Sequence, residues 1–119
     1  MLYTLFAPQS YRDAHPDLKK KHCNGCGPKS ALIDVVPDTA WGLDISEACN
    51  IHDWMYAHGK TIADKQEADR TFLNNMIRLI HNAGGWSVLK MLRRRRALTY
   101  YWAVDRFGGP AFWEGKNPP

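Results

Sequence analysis

The chain has 119 residues, enough for one domain with one core and too few for a second. Hydrophobic residues make up 45% and charged residues 24%, mean hydropathy is −0.47, and no apolar run is long enough to span a bilayer, the composition expected of a soluble globular protein. The net charge of +4 is concentrated in Lys19-Lys20-Lys21 and Arg93-Arg94-Arg95-Arg96, which fits either an anionic partner, lipid headgroups or nucleic acid, or a plain solvated basic face.

In chain order, residues 1–22 read as an irregular or briefly helical lead-in punctuated by Pro8 and Pro16. Met1 to Ser10 lacks a basic start and enough apolar length for a signal peptide, so export is expected by another route or as part of something larger. Residues 23–43 are expected as a loop region. Within it, Cys23-Asn24-Gly25-Cys26-Gly27-Pro28-Lys29-Ser30 reads as a tight turn, because glycine and proline are dense there, and at most a short extended piece falls around Leu32 to Val36. A first helix is predicted over 44–59, with Asp44 at the N-cap, Glu47 three residues on as a capping-box pattern, and Gly59 as the stop. A second runs over 61–82, where Phe72, Leu73, Met76, Ile77 and Ile80 recur at helical spacing before Gly84-Gly85. A third occupies 86–107, regular from about Ser87, and ends at Gly108-Gly109-Pro110; the tail, 108–119, reads as loop. The expected fold class is therefore all-α: a single domain over 1–119, a small bundle of about three main helices, with the helix pair at 44–83 carrying the polar site.

That pair concentrates side chains that helices rarely bury. Cys49-Asn50-Ile51-His52-Asp53-Trp54-Met55-Tyr56 is followed by Ala68-Asp69-Arg70. Helical geometry puts His52 on one face with Ala48, Cys49, Met55 and Tyr56, and turns Asp53 about 100° away toward an edge. Asp69 precedes Phe72 and Leu73 by three and four residues, so it faces the core side. A buried imidazole and carboxylate must be paired, metal-bound or catalytic. Asp69 can accept from one ring nitrogen and set the tautomer, leaving the other nitrogen as a base toward water, since no Ser or Cys stands as an obvious nucleophile. Asp53 beside a glycine-rich loop suggests a hard cation, because a carboxylate plus backbone carbonyls is the oxygen set calcium takes, and Gly25 and Gly27 let the backbone curl. Cys26 paired with Cys49 would bring that loop to the helix, closing about two dozen residues at a gain of ~3 kcal/mol. For Cys23 three states stay open: a free thiol, a pairing between chains, or competition with Cys26 for Cys49.

Each piece also has an ordinary reading: a satisfied core histidine, a plain Gly-Cys-Gly turn, a carboxylate on a helix shoulder. The sharpest rival is zinc. Cys23-x-x-Cys26 with Cys49-x-x-His52 is a Cys3His spacing that uses every cysteine in the chain. It would make a zinc-stabilised binding module with its basic runs on phosphates. It leaves Asp53, Tyr56 and Asp69 without a role, and it puts Cys49 and His52 past the first turn of a helix.

Together, the Cys49-x-x-His52-Asp53-x-x-Tyr56 helix, the Gly25-Cys26-Gly27 loop and the Asp69 helix resemble the phospholipase A2 family over about 23–76. The resemblance implies that His52 is the general base activating water, that Asp69 orients it, and that Tyr56 bonds to Asp69. It implies a calcium ion held by Asp53 and the carbonyls of Gly25, Gly27 and Lys29, polarising the sn-2 ester carbonyl and holding the oxyanion. Disulfide-rich members carry two mutually bonded cysteines where this chain has Met55 and Ala68, so both halves of one bridge are absent together. The family's loop usually has glycine where Lys29 stands. Small microbial and phage-type members, often toxin or effector domains, look most similar. By that likeness the protein is secreted or otherwise delivered out of the producing cell, its partner is an anionic phospholipid membrane surface rather than nucleic acid, and an inhibitor or immunity protein is a second partner. A non-catalytic relative is the third reading, and the joint presence of His52, Asp53, Tyr56 and Asp69 speaks against it. For membrane contact, Trp41, Trp54 and Trp113 are expected at the interface, with Trp86 and Trp102 in the core.

Overall fold

Helix signals in the second half of the chain translate directly into structure. This computed structural model describes residues 5–18 and 39–116, in the order α1 (Gln9–Asp13), β1 (Thr39–Ala40), β2 (Leu43–Asp44), α2 (Ser46–His58), α3 (Ile62–Ala83), α4 (Ser87–Phe107) and α5 (Gly109–Trp113). The protein is mostly helical, with α3 packed against both α2 and α4, plus one small antiparallel hairpin. The start of α3 is set by a capping box. Thr61 Oγ1 accepts from the Asp64 amide at 3.1 Å, and the Asp64 carboxylate accepts from the amides of Thr61 and Lys60.

Three elements differ from the sequence expectation. First, α2 starts at Ser46, because Asp44 is used in the hairpin, paired with Thr39, and its carboxylate accepts from the Ser46 amide and hydroxyl. Glu47 does not close a capping box; it accepts from the Tyr11 hydroxyl at 2.7 Å instead. Second, the hairpin qualifies the all-helical expectation. Its turn needs positive φ at both central positions, 49° at Trp41 and 78° at Gly42, which suits glycine and costs the tryptophan. That cost is met across the fold. Arg93 of α4 donates from Nε and Nη2 to the Trp41 carbonyl at 3.3 and 3.1 Å, and the Tyr100 hydroxyl donates to the Thr39 carbonyl at 2.9 Å. Third, the tail forms α5, with proline in its first turn and Phe112 fully buried, its ring edge-on to Tyr56.

The main core joins Ile45, Ala48 and Cys49 to Phe72, Met76 and Ile80 of α3 and to Ala97, Tyr100 and Val104 of α4. The N-terminal segment is tied to it by the buried Asn75, whose side-chain amide exchanges hydrogen bonds with the backbone N–H and C=O of Phe6 at 2.7 and 2.8 Å. The same segment covers the outer face of α2. Trp54 is consequently buried at 2% exposure, edge-on to Tyr11 and donating to Ser10 Oγ at 3.1 Å, rather than available to an interface. Trp86 and Trp102 are the reverse correction, at 84% and 50% exposure. Trp102 lies two residues, or about 200°, around α4 from the buried Tyr100, and so points away from the core. Trp41 is exposed as expected, and Trp113 is half-buried.

Candidate active site

Four side chains converge where α2 crosses α3. His52 and Tyr56 sit one turn apart on the inner face of α2, and Asp69 faces them from α3; all three are buried, Asp69 completely. Asp69 Oδ1 takes two hydrogen bonds, from His52 Nε2 at 2.8 Å and from the Tyr56 hydroxyl at 2.6 Å. Its other oxygen, Oδ2, accepts from Lys65 Nζ at 2.8 Å.

The tautomer of His52 follows from this pairing. An ionised carboxylate can only accept, so Nε2 carries a proton, and in the neutral ring Nδ1 then keeps its lone pair. Among the described residues no group bonds to Nδ1. The ring is held by flat contacts, with centroids 4.1 Å from Tyr56 and 4.8 Å from Phe72.

Burial alone would raise the Asp69 carboxyl. The His52 hydrogen bond and charge, followed by the bonds from Lys65 and Tyr56, outweigh it and hold Asp69 below its ordinary range. Tyr56 moves the other way: burial first, then the negative charge and hydrogen bond of Asp69, push its phenol well up, so it serves as a permanent donor. The backbone is shaped around that hydroxyl. A Cβ at Gly108, the junction of α4 and α5, would collide with the Tyr56 hydroxyl and the Val104 carbonyl, so only glycine lets the chain pass there.

Asp53 follows His52 on α2 and is half-buried. It is the one expected calcium ligand among the described residues, and a hard carboxylate there fits that cation's donor preference. Gly25, Gly27 and Lys29 lie outside the described residues, as do Cys23 and Cys26. The expected Cys26–Cys49 bridge and the alternative Cys3His zinc set therefore fall outside them too; Cys49 itself is buried in the core at 2% exposure. Among the described residues, no three His, Cys, Asp or Glu side chains are grouped to hold a metal.

Sequence reasoning missed Lys65. The available signal was its place one turn before Asp69, the i,i+4 spacing of an ion pair along a helix. It was obscured because a lysine is presumed solvated unless a partner in the interior is known. No family model, curated protein or solved structure matches this chain.

Proposed function

We propose that the protein is a calcium-dependent phospholipase A2, hydrolysing the sn-2 ester of glycerophospholipids and acting as a toxin or effector domain outside the producing cell. The observation that carries this reading is the buried Asp69–His52 pair at 2.8 Å, with Nε2 committed to the carboxylate and Nδ1 left unbonded by the described residues. Nδ1 takes a proton from water as the water oxygen attacks the ester carbonyl carbon. Asp69 stabilises the imidazolium so formed, and Tyr56 keeps Oδ1 aligned on Nε2–H. The ring proton then passes to the departing glycerol oxygen, so that the ester C–O bond breaks to give a fatty acid and a lysophospholipid. Bound by Asp53 and the loop carbonyls of Gly25, Gly27 and Lys29, calcium would supply polarisation of the carbonyl and charge for the oxyanion.

The deciding experiment is fatty-acid release from mixed phospholipid vesicles with calcium, with chelator, and with chelator followed by excess zinc, alongside elemental analysis. Calcium-dependent release without stoichiometric zinc is expected, and Asp53→Ala should lose the calcium response together with calcium binding. One zinc per chain and no release would instead establish a Cys3His module.

An anionic phospholipid surface is the partner of this reading, supported by the outer face of α4. Val88, Met91, Leu98 and Trp102 are exposed along it at helical spacing, with Arg94, Arg95 and Arg96 also exposed. Apolar side chains flanked by arginines suit shallow insertion beside anionic headgroups, and among the described residues no helix is long and apolar enough to cross a membrane. Binding should favour anionic vesicles and weaken as salt rises; equal binding to neutral vesicles at every salt concentration would overturn the assignment.

A further inference from the structure

Lys65 is a buried cation whose ammonium has three acceptors. Beyond Asp69 Oδ2 at 2.8 Å, it donates to the carbonyls of Val104 at 3.2 Å and Asp105 at 3.3 Å, and the side chain is 7% exposed. An ammonium has three protons, so the group is fully satisfied. The two carbonyls belong to the last turn of α4, the negative end of that helix, which suits a cation. Lys65 thus binds two rigid elements at once.

The consequence falls on the carboxylate. Asp69 shares its oxygens unequally: Oδ2 goes to Lys65, and Oδ1 receives both His52 and Tyr56. With Oδ2 pinned to a cation that is itself anchored in α4, the carboxylate cannot turn about its own axis, and Oδ1 stays on the His52 Nε2–H. A lysine serving only to fasten α3 to α4 would need the two carbonyls alone.

We infer that Lys65 is a positioning residue for the His52 base, acting through Asp69 and carrying the alignment of the site into the C-terminal end of α4. The inference rests on the reading of His52 as the base.

The test uses the full chain with Lys65→Met, which keeps length and loses charge and donors, and Lys65→Gln, which keeps a donor. Folding is followed by circular dichroism, turnover on mixed anionic vesicles with calcium, and the His52 Nε2–H proton by nuclear magnetic resonance of histidine-labelled protein, assigned by its loss in His52→Ala. Lys65→Met should lower kcat about 10- to 100-fold with KM unchanged and shift the Nε2–H resonance, with Lys65→Gln falling between it and the wild type. Folded variants with an unmoved resonance would overturn the inference, whether kcat falls or not, because a purely structural lysine leaves the His52–Asp69 bond alone. Should neither variant fold, the wild-type protein decides: a through-hydrogen-bond coupling between Lys65 Nζ and the Asp69 carboxylate carbon supports the assignment, and its absence overturns it. A wild-type protein without ester hydrolysis would sink the phospholipase reading, while a shifted resonance in the variants would still support the hold of Lys65 on His52.

Discussion

His52→Ala is expected to lower fatty-acid release by about 10²–10⁴-fold, the usual contribution of a positioned general base. On the proposed mechanism the loss should appear in kcat, because the imidazole would take its proton as water attacks and would contribute little to holding lipid in the ground state. The fold should survive. Asp69 keeps its bonds from Tyr56 and Lys65, so removing the ring leaves no buried charge without a partner. The calcium binding proposed for Asp53 should persist as well, since that residue is untouched. Turnover near that of the wild type in a variant with native circular dichroism would remove His52 from the role of base.

Asp69→Ala should act on both activity and stability. Three donors end on this one buried carboxylate, and its removal leaves the Lys65 ammonium buried without a counter-charge, a defect that costs about 3–5 kcal/mol. Turnover should fall because the His52 ring loses the acceptor that fixes its tautomer. The stability loss should also depend on pH. The carboxyl is held below its ordinary value of 3.8 in the folded protein, so its contribution is fully present above that pH and disappears as pH falls through the lowered folded value. Urea melts of wild type and variant should therefore differ most near neutrality and converge below about pH 4. A gap that stays constant from pH 7 to pH 3 would mean that the Asp69 charge is not what stabilises this part of the fold.

Much of the helical framework is legible from local pattern. The Phe72, Met76 and Ile80 repeat and the Thr61 and Gly84 boundaries mark α3, and glycines bracket α4, because capping and helical period act within one or two turns. The same period places His52 and Tyr56 together on the inner face of α2 and turns Asp69 inward on α3. It says nothing about what lies outside each helix. Trp54 reads as exposed until the N-terminal segment covers it, Trp102 reads as core until α4 turns its other face inward, and Trp86 reads as core although it stands at the extended N-cap before that helix.

By itself, then, the sequence determined three helices and the inward direction of His52, Tyr56 and Asp69, since backbone propensity, caps and period are set by neighbours in the chain. Only the tertiary structure decided the hairpin around Trp41, the docking of α5 on Tyr56, and the burial of Lys65 between Asp69 and the end of α4. Each of these depends on groups 30 or more residues apart in the chain, such as Lys65 with Val104 and Arg93 with Trp41. A strained turn or a buried cation is stable only when such a distant partner offsets its cost, and no local pattern carries that information.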